Sequence, residues 1–579
     1  MPNRLALSVD RDVPVSMREG TVLYADVYRP SGPGPYPALL QRTPYDKGNQ
    51  ISIGFILRAA SSGYAVVLQD VRGRFASEGI FYAFVNERQD GYDTLEWLIA
   101  QPWCNGNVGM FGQSYVGLTQ WQAAMSGHPA LKAIVPTVTA ADYHAGWTYQ
   151  GGAFELSFNL SWTMTNLATN TVARRKKSDP AAEETFQRLL DGIDDLSEGV
   201  RSLPLAGHPI LAEYAPYYDD WLNHPTYDDY WAALDVSAKH NALNVAALNI
   251  GGWYDIFQKG TIDNFIGMRA NGPAAVRNQQ HLLLAAWNHS GISRGNPIGA
   301  YDFGMRATGA VIDSDGIQLR WFDRWLRGIE NGVDDEPPVR LFVMGSNEWR
   351  HEQEWPLART DWQEWFLHSG GKANSLTGDG ALSRDLPASE PPDAYLYNPR
   401  NPVPTVGGGL CCNAVFSQGG AYDQRAVEER EDILVYTTPP LEQSVEVTGP
   451  VRLILHASSS ALDTDWTAKL VDVSPCGYAR NLTDGILRAR YRDSMREGTL
   501  LPPGEVIAYD VDLWATSNVF LAGHRIRLEV SSSNFPRFDR NPNTGEVPGR
   551  STDMVSALQM IFHSSEYPSR LVLPVIPQP

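Results

Sequence analysis

The chain has 579 residues, 43% of them apolar and 11% aromatic, with no run resembling the ~20 uncharged apolar residues of a membrane span. Its net charge of −19, from 66 acidic against 47 basic side chains, argues against nucleic-acid or anionic-membrane partners, both of which need basic surface. A chain this long exceeds one hydrophobic core, so several domains are expected.

The opening stretch, MPNRLALSVDRDVPVS, lacks a basic segment followed by an apolar one, so the expected location is the cytoplasm. The N-terminal quarter then alternates strand and helix signals. TVLYADVYRP has apolar residues at every second position, while YPALLQRTPY and YAVVLQDVRG are short apolar runs bounded by Pro, Gly and Asp. Such runs enclosing helical segments predict βαβ units and a mainly parallel sheet. DGYDTLEWLIAQPW reads as an amphipathic helix with Tyr92, Leu95, Leu98 and Ile99 on one side. GNVGMFG is the next buried strand, YVGLTQWQAAM a helix and LKAIVPTVT another strand.

From 145 to 240 the sequence is rich in helix formers and aromatics and shows no convincing strand; Asp179-Pro180 marks one helix start. The basic run Arg174 to Lys177 is expected at the exposed end of a helix. Alternation resumes with ALNVAALNIGGWYD, QHLLLAAWNHS, the helix GIQLRWFDRWLRG ending at Gly328, and VRLFVMG. Beyond about residue 350 strand signals dominate, from DILVYTTPPL to HRIRLEVSSSNF, which predicts a sandwich or jelly roll. The four cysteines (Cys104, Cys411, Cys412, Cys476) show no zinc spacing, and no His–carboxylate cluster implies a metal or other cofactor. Adjacent Cys411 and Cys412 are expected as two reduced, half-buried thiols rather than a vicinal disulfide.

The strand GNVGMFG and the helix YVGLTQWQAAM meet at Ser114. A serine at such a corner is exposed at the sheet edge, and the helix N-terminus behind it favours developing negative charge. The elbow signature is G-x-S-x-G; Gly112 fits, but position 116 is Val and the second glycine falls at 117. The motif alone leaves open a nucleophile and a tight turn whose small residues let the helix pack. A serine hydroxyl needs a base, and the order Ser, acid, His at successive strand ends is met by Asp255 and His289. An oxyanion needs donors. The Tyr115 amide is the expected first, and the Tyr45 hydroxyl in RTPYDKG offers a second, unless that ring only packs a turn.

TPYDKG, DVRGRFASEG, GNVGMFGQSYVG, GGWYDIF and WNHS, in that order, resemble the cocaine-esterase branch of the X-Pro dipeptidyl-peptidase superfamily. The likeness continues through NPVPTVGGG, SSALDTDWTAKLVDV and SSNFPRFDRNPNTGE, so it spans nearly the whole chain. In that family G-x-S-Y-x-G is the normal elbow, which accounts for the displaced glycine. The resemblance implies a triad of Ser114, Asp255 and His289, an oxyanion hole of Tyr45 and Tyr115, and substrate contacts from Trp147, Trp162, Phe257 and Leu410. It implies an α/β-hydrolase domain (1–144 and 241–352), an inserted helical cap (145–240) and a C-terminal all-β jelly-roll domain (353–579). It also suggests a homodimer. The chain departs from the family pattern at Cys411 and Cys412, which stand in place of bulkier apolar residues, and in loop length after Lys47.

The expected activity is that of a serine esterase taking a small-molecule ester with an aromatic or bulky apolar acyl group through an acyl-enzyme. The alternative is an α-amino-acid ester hydrolase, β-lactam acylase or X-Pro dipeptidyl peptidase on the same fold. Those must hold an ammonium with carboxylates, whereas the positions after the candidate acid include Phe257 and Gln258. A third reading is a non-catalytic carbohydrate- or protein-binding module carried by the jelly roll.

Overall fold

AVVLQD and AALNIGGWY, buried at every position, are interior strands of a parallel sheet, where both faces are covered and alternation disappears. The structure is a computed structural model that describes residues 6–49, 52–412 and 418–577. In chain order its strands are β1 (Leu7–Ser16), β2 (Val22–Pro30), β3 (Tyr36–Thr43), β4 (Ala65–Asp70), β5 (Cys104–Gln113) and β6 (Leu131–Thr137). A small ribbon of β7 (Tyr149–Gln150) and β8 (Ala153–Phe154) follows, then β9 (Ala246–Tyr254), β10 (Gln280–Asn288), β11 (Val339–Val343) and β12 (Glu348–Glu352). The large sheet runs β1-β2-β4-β3-β5-β6-β9-β10-β11-β12. It is parallel from β4 to β11, with antiparallel strands at both edges.

Helices α1 (Ile53–Ser61), α2 (Glu87–Ile99) and α3 (Tyr115–Met125) connect the first parallel strands. α1 buries Phe55, Ile56, Ala59 and Ala60, and its Phe55 ring lies 4.7 Å from that of Phe111 on β5. α2 corrects the expectation of an apolar face through Ile99, which is 39% exposed. The helix instead buries Glu87, Asp90 and Asp93 alongside Leu95 and Leu98. The cause is a set of arginines from elsewhere: buried Arg42 on β3 pairs with Glu87 at 2.8 Å, Arg72 with Asp90 and Arg18 with Asp93. Truncating Arg42 would strand a buried carboxylate at a cost of about 3–5 kcal/mol.

The segment between β6 and β9 is mainly helical, as expected, and includes α4 (Leu156–Trp162) and the helix Ala182–Asp194, before which Asp179 accepts the Ala181 amide. Two corrections apply here. The β7–β8 ribbon adds strands where none was expected. The basic run is also not merely exposed, because Arg174 donates to the carbonyls of Phe75 and Ser77.

Downstream, an 11-stranded sheet reaches from Asp361–His368 to Arg570–Ile576 among the described residues. It is tied to the first domain by the Tyr254 hydroxyl on the Asn481 carbonyl (3.0 Å) and by Gln258 on that of Ala515 (2.7 Å). One hydrophobic core joins α1, the helix Ser314–Arg327 and the β domain; a second joins α2, α3 and the cap. Among the described residues no helix is long and apolar enough to cross a membrane.

Candidate active site

The parallel strands deliver the candidate residues to one edge of the sheet. Ser114 directly follows β5, Asp255 follows β9, His289 follows β10, and Tyr45 comes two residues after β3. All four sit at the C-terminal ends of their strands, where open α/β sheets place their sites.

Ser114 adopts φ 62° and ψ −127°, a conformation non-glycine residues rarely hold and one that costs on the order of 1–3 kcal/mol. Its amide donates to the Thr137 carbonyl at 2.9 Å, and its carbonyl accepts from Gly117 and Leu118, so the corner is held from both sides. The glycines answer the local crowding. A Cβ on Gly112 would meet Val116 Cγ1 at 2.3 Å, and one on Gly117 would meet Thr139 Cβ at 2.8 Å. The second glycine falls at 117 because that is where α3 passes over Thr139.

Asp255 is buried, and its Oδ1 lies 2.7 Å from His289 Nδ1 while Oδ2 accepts the Phe257 amide at 3.1 Å. With Nδ1–H donating to Asp255, Nε2 is left as the basic nitrogen of the neutral ring. His289, Ser114 and Tyr45 line one cavity of about 230 Å³. A larger open groove of about 1450 Å³ beside α2 has no histidine in its lining.

The Tyr45 phenol oxygen accepts the Trp162 indole N–H at 2.9 Å. Burial pushes the Tyr45 hydroxyl up to about 12, against the opposing pull of hydrogen bonds with Trp162 and Ser114 and of the Arg74 charge. It is therefore a neutral O–H donor at any pH an esterase meets. The Tyr115 amide is the first of α3, where no intrahelical carbonyl is available to it. Its phenol is used structurally, donating to Glu87 and accepting the Phe84 amide.

Of the four expected substrate contacts, Trp162 lines the cavity, whereas Trp147, Phe257 and Leu410 are buried and not on its lining. Trp147 stacks on Phe257 with ring centroids 4.2 Å apart, and the Phe257 ring meets the His289 imidazole edge-on at 5.3 Å. Sequence reasoning missed Asp46, Lys47, Asn49 and Asn166, which complete much of the lining. The TPYDKG motif held the signal for the first two, because residues next to Tyr45 share its loop. The expectation of reduced thiols is also corrected: Cys411 and Cys412 form a disulfide, and Cys412 lines the cavity. Cys412 turns to φ 64°, which brings the two sulfurs of adjacent residues together.

A family model described as X-Pro dipeptidyl-peptidase (S15 family) matches residues 19–291, and the X-Pro dipeptidyl-peptidase C-terminal non-catalytic domain matches residues 331–572. The chain is 42% identical to cocaine esterase of Rhodococcus sp. (strain MB1 Bresler), over 98% of this chain and 99% of that protein. It is 27% identical to a putative serine esterase of Mycobacterium tuberculosis, over 97% of this chain and 94% of that one. Among solved structures, an α-amino acid ester hydrolase superposes with a TM-score of 0.81 at 25% identity, covering 99% of this chain and 97% of the other.

Proposed function

Because the chain belongs to the X-Pro dipeptidyl-peptidase (S15) family of serine hydrolases and is most alike to its esterases among the relatives above, we propose that it hydrolyses esters with an aromatic or bulky apolar acyl group. The observation that carries this reading is the Asp255–His289 pair at 2.7 Å, whose histidine lines the same cavity as Ser114 and Tyr45.

In the proposed reaction His289 Nε2 takes the Ser114 hydroxyl proton as Oγ attacks the ester carbonyl, and Asp255 steadies the imidazolium through Nδ1. The tetrahedral oxyanion is met by the Tyr45 O–H and the Tyr115 N–H. Collapse expels the alcohol, which leaves with the proton held by His289. Water, deprotonated by the same nitrogen, then attacks the acyl-enzyme, and the second collapse restores Ser114 and releases the acid. Trp162 supplies apolar wall for the acyl group, with the Trp147–Phe257 stack behind it. We also propose domain limits of 1–144 with 241–352, 145–240 and 353–579, the last a jelly roll, together with a cytoplasmic location and a homodimer.

A second reading, α-amino ester hydrolysis, is favoured by one observation: Asp46 places a carboxylate on the cavity lining. A panel of aryl, alkyl and α-amino esters, with Ser114→Ala as the control, tests both. Faster turnover of neutral aryl esters supports the first reading, and faster turnover of α-amino esters supports the second.

A further inference from the structure

Arg74, in the turn after β4, is fully buried. Three other arginines are equally buried, and each has an acid: Arg42 pairs with Glu87, Arg488 with Asp465 and Asp539, Arg537 with Asp484. Arg74 has none among the described residues. Its guanidinium is spent on backbone carbonyls, with Nε on Pro44 at 2.9 Å, Nη1 on Leu167 at 2.6 Å and Nη2 on Asn166 at 2.7 Å. The Phe75 and Phe81 rings lie 5.4 and 5.1 Å from it. A buried cation with no counter-ion is costly to keep, which asks what anion it serves.

The three carbonyls give the answer. Pro44 precedes Tyr45 in the chain, and Asn166 and Leu167 follow within two turns of Trp162, whose indole donates to the Tyr45 oxygen. One guanidinium thus clips together the loop that carries Tyr45 and the helical segment that orients it. Its charge also reaches the phenol, since Arg74 lowers the Tyr45 pKa and Tyr45 raises that of Arg74. Burial pushes the guanidinium down to about 10, so it remains a cation at neutral pH.

We propose that Arg74 is a positioning residue for the oxyanion site: it clamps the Pro44–Tyr45 peptide to the Asn166–Leu167 segment and lends its unpaired positive charge to the anion that forms beside Tyr45. The inference rests on the reading of Tyr45 as an oxyanion donor. The resting site offers this cation neutral carbonyls and no anionic partner, whereas the tetrahedral intermediate brings a negative charge beside Tyr45, so the electrostatic interaction strengthens only as the reaction proceeds and acts on kcat rather than KM.

The test measures kcat and KM for a phenyl ester with Arg74→Met, Arg74→Lys, Tyr45→Phe and the two double variants, each normalised to the serine that reacts with a phosphonate label. Arg74→Met is expected to lower kcat by about 10²-fold with KM within about threefold, and Arg74→Lys, which keeps the charge and loses the fork, by about tenfold. In the Tyr45→Phe background neither should lower kcat by more than about threefold further, because the group they act through is gone. Affinity for phenylboronic acid, which becomes a tetrahedral anion on the serine, should fall in parallel with kcat. A kcat within about threefold of wild type, or an equal loss in both backgrounds, overturns the inference. Should Arg74→Met fail to fold, Arg74→Lys decides by the same two criteria. If Tyr45→Phe alone leaves kcat unchanged, the oxyanion assignment fails and this inference falls with it; a damaged Tyr45→Phe beside neutral Arg74 variants rejects this inference alone.

Discussion

The indole N–H of Trp162 donates to the phenol oxygen of Tyr45 across 2.9 Å, joining residues 117 positions apart. A phenol has one proton to give, and with a lone pair occupied by the Trp162 N–H that proton points away from the indole, leaving it for the cavity that Tyr45 and Ser114 both line. Tyr45→Phe is therefore expected to lower kcat by roughly 10²–10³-fold with little change in KM. Trp162→Phe keeps an aromatic wall and frees the rotor, so it should lower kcat by about tenfold. Steady-state kinetics on one aryl ester checks both; a Tyr45→Phe variant whose KM rises while kcat holds would make Tyr45 a binding residue.

Acyl preference follows from the cavity wall. Trp162 is apolar lining, and the positions two and three after Asp255 are Phe257, buried against Trp147, and Gln258, whose amide is spent on the Trp253 and Ala515 carbonyls. Asp46 is on the lining, but it is only half-buried, so its carboxylate keeps contact with water and offers no desolvated ion pair. A substrate ammonium desolvated at the acyl end loses hydration without gaining a buried ion pair. A benzoate or phenylacetate ester should then exceed the matching phenylglycine ester in kcat/KM by at least about tenfold, ~1.4 kcal/mol, at a pH that keeps the amine protonated. Equal or reversed preference in competition assays would promote the α-amino ester reading.

The Cys411–Cys412 disulfide leaves Cys104 and Cys476 as the free thiols among the described residues. Thiol titration of the unfolded, unreduced protein should find two, against the four cysteines of the sequence once a dithiol has reduced the bond. Reduction converts the disulfide to two thiols and the dithiol to its cyclic disulfide. Cys412 lines the cavity, and freeing its side chain should loosen that wall, so KM for an aryl ester is expected to rise about threefold with kcat unchanged. Four reactive thiols before reduction would contradict the linkage.

A cluster in the β domain sets a pH dependence of stability. His563 Nε2 meets Asp393 at 2.9 Å and Nδ1 meets Glu390 at 3.1 Å, with Ser369 and Tyr436 also on Asp393. Burial lowers the His563 pKa, but the Asp393 and Glu390 carboxylates outweigh it and hold it above the usual imidazole value. A raised histidine contributes stability fully present below the unfolded value of about 6.5 and lost as pH rises through the folded one. Melting temperature should therefore fall between about pH 6 and 9 more steeply for wild type than for His563→Gln. Parallel profiles would assign the cluster no share of the pH dependence.

The sequence made the sheet legible because its interior strands are continuous apolar runs, and the candidate site legible because Ser114, Asp255 and His289 each end such a run. The face of α2 was not legible, since Glu87 and Asp90 are buried by arginines on other elements. Nor was the setting of Tyr45. Its partner Trp162 lies in the cap, and the carbonyls that hold Arg74 there are 92 and 93 residues away from it. Backbone carbonyls leave no mark in a sequence pattern. The same holds for Cys412, where a positive φ rather than residue spacing brings the sulfurs together.

The central claim is that Ser114 carries the acyl group, and the most direct measurement is mass spectrometry of the protein after reaction with a fluorophosphonate, with the adduct mapped to its peptide. One adduct per chain on the peptide containing Ser114, formed in step with loss of esterase activity and absent from Ser114→Ala, is the expected result. Full inactivation with the adduct on another residue, or a Ser114→Ala variant that keeps near-wild-type turnover, would contradict it.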